Sequence, residues 1–177
     1  MSVEFVLGGA RSGKSSYAEK LAQQSSLPVT YIATATGNDD EMVQRIAHHQ
    51  ASRPASWHVI EEPLHLTSVI KQYAQNGQCV IVDCLTLWLT NCLLTEVIDW
   101  SQYKRDLLTA LSETDGMVIL VSNEVGQGIV PLGELTRRFV DEAGWLHQQI
   151  AEISDQFIFV TAGIPQILKP TKSDKNE

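Results

Sequence analysis

No stretch of the chain approaches the roughly eighteen consecutive apolar residues that a membrane-spanning helix needs, so no span is expected. No secretory leader is expected either, because the glycine-rich residues 8–13 interrupt any apolar core near the amino terminus. Basic residues are scarce: 13 Lys+Arg stand against 21 Asp+Glu, for a net charge of −8, and no basic run occurs. That balance argues against nucleic acid or an anionic membrane as the main partner. Cysteine is limited to Cys79, Cys84 and Cys92, whose spacing suits no metal site. Buried thiols in a reducing cytosol are the expected reading, and the expected location is cytoplasmic. Internal repeats and inter-domain linkers are also missing. What remains is a chain of 177 residues, long enough for one domain with a sizeable core.

The strongest feature present is Gly8-Gly9-Ala10-Arg11-Ser12-Gly13-Lys14-Ser15, which is G-x-x-x-x-G-K-S, the phosphate-binding P-loop pattern. Its flanks are those the chemistry requires. Val3-Glu4-Phe5-Val6-Leu7 reads as a buried strand, and Ser16-Tyr17-Ala18-Glu19-Lys20-Leu21-Ala22 as a helix free of Gly and Pro. Gly8 and Gly13 let the backbone turn where a Cβ would clash, so that successive N–H groups point at phosphate oxygens. The positive end of the helix that begins near Lys14 adds to the cradle. Lys14 can place a point charge on the β- and γ-phosphates, and the Ser15 hydroxyl can join a Mg²⁺ shell. The pattern predicts binding of a nucleoside triphosphate.

Strands and helices then alternate. Strands are expected at 29–33, 57–60, 79–82, 117–121 and 157–160, and helices at 38–50, 64–75, 86–95, 101–113 and 132–153, with Asn76-Gly77 as a C-cap pair. The β-α alternation with apolar strands predicts an α/β, P-loop NTPase-type three-layer fold: a mostly parallel sheet with helices on both faces. Residues 1–168 read as one nucleotide-binding catalytic domain. Residues 169–177 have nothing to bury and read as a disordered tail. Ligands should gather at the carboxyl ends of the strands.

Several candidates fall there. Asp83 closes the run Cys79-Val80-Ile81-Val82, where P-loop enzymes keep the acid that holds Mg²⁺ directly or through water. Glu62 follows a strand and is placed to touch nucleotide or metal, a reading its neighbour Glu61 leaves open. The loop from Ser122 to Pro131 carries Asn123, Glu124, Gly126 and Gly128 and reads as a substrate loop. It is not the Asn-Lys-x-Asp guanine reader, since Glu124 and Gly126 replace the Lys and the Asp. On the helix expected at 38–50, Glu41, Arg45 and His48 share a polar face, while His49 lies near Met42 and Ile46 at the apolar rim. Without a third ligand the pair makes no zinc site. The residues alone leave His49 as a packed or solvated imidazole or as one near the nucleotide.

Taken together, Gly8-to-Ser15, Asp39-Asp40-Glu41-Met42 leading to Arg45-Ile46-Ala47-His48-His49, Arg53-Pro54 and Asn123-to-Pro131 resemble one family. It is the bifunctional adenosylcobinamide kinase / adenosylcobinamide-phosphate guanylyltransferase family of cobalamin biosynthesis. The resemblance runs from Val3 to about Leu168 and implies two activities. A nucleoside triphosphate, ATP or GTP, phosphorylates adenosylcobinamide. GTP then guanylylates a histidine, and the GMP passes to adenosylcobinamide phosphate. The nucleophile implied is His49. The implied nucleotide contacts are Gly8, Gly9, Ala10, Arg11, Ser12, Gly13, Lys14, Ser15, Thr34, Ala35, Thr36, Gln50, Ala51, Ser52, Arg53, Glu62 and Asp83, and a homo-oligomer, a trimer in family members, is implied as the assembly. Trp145 departs from the pattern: many relatives carry Ala-Gly-Arg and then Asn near residues 143–147, where this chain has Ala143-Gly144-Trp145-Leu146-His147. Arg137 and Arg138 lie nearby, available for the contact such an Arg would make or else solvated helix charges. Two other classes fit the P-loop: a kinase without the histidine step, and a module that binds triphosphate without transferring it.

Overall fold

In the computed structural model, residues 2–35 and 54–171 are described. The strands are β1 (Ser2–Gly8), β2 (Val29–Ala33), β3 (His58–Glu61), β4 (Cys79–Asp83), β5 (Met117–Asn123), β6 (Gln156–Thr161) and β7 (Ile164–Lys169). The helices are α1 (Lys14–Ser25), α2 (Leu66–Tyr73), α3 (Leu85–Leu94), α4 (Trp100–Glu113) and α5 (Glu134–Ile153). The strands lie in one sheet in the order β3-β2-β4-β5-β1-β6-β7. All neighbours pair in parallel except β6 and β7. β5 therefore lies between the P-loop strand β1 and the strand β4 that ends on Asp83.

The apolar runs of β1, β4 and β5 are buried on both faces, as continuous Val/Ile/Leu strands of a parallel sheet must be. One face packs Phe5, Ile32, Val82 and Leu120 against α2, α3, α4 and α5. The other packs Val6, Tyr31, Ile81 and Ile119 against Ala18 and Ala22 of α1. The small alanines let α1 lie close to the sheet, which fixes where the loop before it can go. Trp88 of α3 is fully buried and meets Trp100 of α4 edge-on, ring centroids 5.2 Å apart. Emptying such a site costs about 3–5 kcal/mol. Asp99 caps α4 by accepting from the Gln102 N–H at 3.3 Å.

Two expectations need correction. Lys169 is not the start of a tail: it closes β7, and its ammonium donates to the carbonyls of Ala151 (3.0 Å), Glu152 (2.9 Å) and Ser154 at the end of α5. A cation on the last carbonyls of a helix is favourable by both hydrogen bonding and dipole. The helix expected to reach Gln75 ends at Tyr73 with Ala74 as its cap, and Gly77 takes its positive φ of 75° in the turn beyond. The helix expected at 38–50 lies outside the described residues, as do residues 172–177.

Candidate nucleotide-binding site

The loop between β1 and α1 is built by close approach. A Cβ on Gly8 would lie 2.5 Å from the Val160 carbonyl oxygen, and one on Gly13 would lie 3.1 Å from the Gly163 Cα. Gly13 also sits at φ 93°, a left-handed conformation that favours glycine. Gly8 thus owes its place to the neighbouring strand and to the Ser12 hydroxyl of its own loop, 2.6 Å from the same Cβ position. Arg11 takes the left-handed φ of 54° within the loop. The Ser12 N–H donates to the Gly9 carbonyl at 3.2 Å, while the Gly163 N–H donates to the Ser12 carbonyl at 2.7 Å. The turn between β6 and β7 therefore buttresses the loop from below. The Ser12 hydroxyl is buried and has no hydrogen-bond partner. Gly9, Ala10 and Arg11 lie at or near the surface.

Lys14 is 8 % exposed and donates to the Gly9 carbonyl at 3.1 Å. Burial holds its ammonium below the ordinary lysine range, against the opposing pull of Asp83 and Cys84. Its hydrogen bond goes to a neutral carbonyl, and the charge of a bound phosphate would offset the cost of its desolvation. Asp83 Oδ2 accepts from the Tyr31 hydroxyl at 2.7 Å. Among the described residues no cluster of three or more His, Cys, Asp or Glu could hold a metal. Ser15 and Asp83 instead offer two hard oxygens, a set that suits Mg²⁺ when phosphates and water complete its shell.

Behind Asp83 a chain of hydrogen bonds crosses the carboxyl ends of the strands. The Thr34 hydroxyl donates to the Cys84 carbonyl at 2.7 Å and accepts from the Cys84 N–H at 2.8 Å. The Thr34 N–H donates to the Asp83 carbonyl at 3.1 Å. Thr34 is fully buried, so its side chain is committed to the protein and only its backbone neighbourhood can meet a ligand. Glu62 Oε1 accepts from the N–H groups of Leu64 (2.9 Å) and His65 (2.8 Å) ahead of α2. Asn91 of α3 donates to the carbonyls of Thr34 (2.9 Å) and Pro63 (3.1 Å), a link the sequence does not signal. Burial pushes the Cys84 thiol up to about 11, and its Sγ lies 3.1 Å from the Thr86 hydroxyl. Cys79 and Cys92 are likewise pushed up, to about 11 and about 12, so all three cysteines are buried, inert thiols.

At the end of β5, Asn123 donates to the Thr86 hydroxyl at 2.8 Å, and the Glu124 N–H donates to the Gly8 carbonyl at 2.9 Å. The expected substrate loop thus starts beside the phosphate cradle. Its far part lines a cavity of about 150 Å³ with Val125, Ile129, Val130 and Arg137. Arg137 is not merely solvated: its guanidinium donates to the carbonyls of Pro131 (3.1 Å) and Leu132 and holds the loop to α5. Arg138 is exposed. His147 is buried beneath, its Nε2 2.8 Å from the Ser122 hydroxyl. Burial pushes its imidazole down to about 4 against an opposing pull from Glu124, so it is neutral. Trp145 is 54 % exposed, with the Lys104 ammonium 6.0 Å from its ring. Thr36, His48, His49, Gln50, Ala51, Ser52 and Arg53 lie outside the described residues.

Known proteins match this chain along nearly its whole length. The family model for cobinamide kinase / cobinamide phosphate guanyltransferase matches residues 4–168. The bifunctional adenosylcobalamin biosynthesis protein CobP of Pseudomonas aeruginosa is 56% identical over 167 residues, covering 94% of this chain and 96% of its own. The bifunctional adenosylcobalamin biosynthesis protein CobU of Escherichia coli is 38% identical over 173 residues, covering 90% of this chain and 95% of its own. Among solved structures, PH0250 from Pyrococcus horikoshii aligns with a TM-score of 0.56 at 11% identity, over 98% of this chain and 88% of that one. The RadB recombinase aligns at 0.50 and 14% identity, over 89% of this chain and 73% of that one. At such identities these two structures speak for the fold alone.

Proposed function

The chain belongs to the cobinamide kinase / cobinamide phosphate guanyltransferase family, and we propose that it phosphorylates adenosylcobinamide and then transfers GMP to the product through a guanylylated His49. It is an enzyme of cobalamin biosynthesis, with kinase and guanylyltransferase activity. The observation that carries the finer reading is the cradle at Gly8-to-Ser15, with the desolvated Lys14 facing Asp83 across the end of β5. In the first step a hydroxyl of adenosylcobinamide attacks the γ-phosphorus of ATP or GTP, and the bond to the β-phosphate oxygen breaks. In the second, a neutral His49 nitrogen attacks the α-phosphorus of GTP and pyrophosphate leaves. The phosphate oxygen of adenosylcobinamide phosphate then attacks that phosphorus, and the P–N bond breaks. Splitting one transfer into two in this way makes each easier.

The protein's part in both steps is position and charge. Backbone N–H groups of Gly9 to Ser15 and the Lys14 ammonium bind the triphosphate. Mg²⁺ held by Ser15 and Asp83, directly or through water, would neutralise charge on the leaving phosphates. Ala35, Thr36, Gln50, Ala51, Ser52, Arg53 and Glu62 complete the proposed nucleotide contacts, with Thr34 contributing through its backbone. The proposed unit is one catalytic domain that runs through Lys169 at the end of β7, working as a homo-oligomer, by resemblance a trimer, in the cytoplasm. Incubation with GTP labelled at the α-phosphorus tests the covalent step. The label should survive alkali, disappear in mild acid as a P–N bond to imidazole does, map to His49 and be lost in His49→Ala. That variant should still phosphorylate adenosylcobinamide. A His49→Ala enzyme that makes adenosylcobinamide-GDP at the normal rate would remove the covalent mechanism.

A further inference from the structure

We propose that Asn91 is a positioning residue, setting the half of the nucleotide site that receives the nucleoside rather than the phosphates. It sits on α3, half-buried, with its one carboxamide nitrogen 2.9 Å from the Thr34 carbonyl and 3.1 Å from the Pro63 carbonyl. Both N–H bonds are thereby spent, each on the first residues to leave a different strand, β2 and β3. One helical turn earlier, Trp88 donates its indole N–H to the Leu64 carbonyl at 2.8 Å. Helix α3 begins two residues after Asp83, so the strut that carries Asn91 is anchored to the acid proposed to hold the metal.

The consequence lies in the backbone that Asn91 grips. With its hydroxyl and N–H committed to Cys84 and Asp83, Thr34 has its last polar atom, the carbonyl, held by Asn91. The Thr34–Ala35 peptide is trans, so the Ala35 N–H points opposite to that carbonyl, away from Asn91. It has no hydrogen-bond partner among the described residues. On the other arm, the grip on Pro63 fixes the turn in which Glu62 sits, whose own N–H donates to the Ala33 carbonyl at 2.9 Å. A backbone N–H with no partner among the described residues thus leaves β2 next to the turn that carries the Glu62 carboxylate, whose Oε1 is engaged by the Leu64 and His65 N–H groups. β2 lies three strands from β1, about 14 Å at the usual strand spacing, beyond the phosphates held by the cradle. The carboxylates of Glu61 and Glu62 also disfavour phosphate there. The nucleoside, with its ring donors and acceptors, fits both groups.

This inference rests on the nucleotide-binding reading above, and calorimetric titration of the full-length enzyme separates the two. The probes are α,β-methylene GTP, which cannot transfer GMP, and inorganic tripolyphosphate, which engages the cradle alone. Asn91→Asp keeps the shape and removes both donors. It should weaken α,β-methylene GTP at least tenfold while leaving tripolyphosphate within twofold. Asn91→Ala removes the donors without adding charge, serves if the Asp variant does not fold, and should show the same split with a smaller loss. Equal weakening of both probes, the mark of general damage, would overturn the role of Asn91, as would no weakening of either. If the unmutated enzyme bound neither probe, the nucleotide reading itself would fall.

Discussion

Glu4 stands at the middle of the sheet, on a strand whose neighbours on both sides are paired, and is 7 % exposed. Burial, with a smaller contribution from the nearby Asp155 and an opposing one from the Ser2 hydroxyl, pushes its carboxyl up to about 7. Its Oε2 has no hydrogen-bond partner. The folded protein therefore holds this proton more tightly than the unfolded chain does. The stability it lends is fully present below the ordinary value of 4.5 and is lost as pH rises through about 7. Glu4→Gln removes the ionisation and should gain up to about 3 kcal/mol over the unmutated protein at pH 8, and little at pH 4.5. Urea unfolding at the two pH values measures this, and an equal effect at both would mean that Glu4 does not titrate in the fold. At this scale the sequence made placement legible, with Lys14 at the start of α1 and Asp83 at the end of β4. Glu4, Asn91 and the Ser122–His147 pair were not legible, because each owes its state to what the fold places around it.

Between elements, the β6–β7 hairpin decides the shape of the phosphate loop. Its two-residue turn uses Ala162 at φ 51° and Gly163 at φ 80°, the left-handed pair that suits the twist of a tight hairpin. That turn brings the Gly163 N–H to the Ser12 carbonyl and the Val160 carbonyl against Gly8. Gly8→Ala must push a backbone oxygen away from 2.5 Å and should cost about 1–3 kcal/mol, the range for overpacking a filled space. Gly9 faces open space, so Gly9→Ala should stay within about 0.5 kcal/mol. Paired denaturant titrations compare them, and equal losses would show that the loop is not braced by β6. β1, β2, β4, β5 and the partly buried β6 were legible because buried strands must be apolar without interruption or close to it, and the exposed edge strand β3 was legible from its β-forming Val59-Ile60 pair. β7 was not legible: it is an exposed antiparallel edge with Pro165 inside it, where no apolar alternation is required and proline is tolerated.

Across the whole molecule, a net charge of −8 has to admit a triphosphate, which confines attraction to the local field of the cradle. Only Lys14 in that loop offers an ammonium, and burial already holds it below the ordinary lysine range. A desolvated cation costs stability in the free protein and returns it only when phosphate arrives. Lys14→Ala should therefore leave the fold at least as stable as before, read by melting without nucleotide. With one cradle proposed to serve both reactions, the same variant should lose phosphorylation of adenosylcobinamide and guanylylation of His49 together, each by about a hundredfold or more. The two activities are assayed separately, with γ-labelled and α-labelled GTP. If guanylylation continued at its normal rate while phosphorylation vanished, a second triphosphate site would be required, and the shared cradle would have to be abandoned. A loss of both activities accompanied by a lowered melting point would instead make Lys14 a structural cation, which the cost of its desolvation argues against.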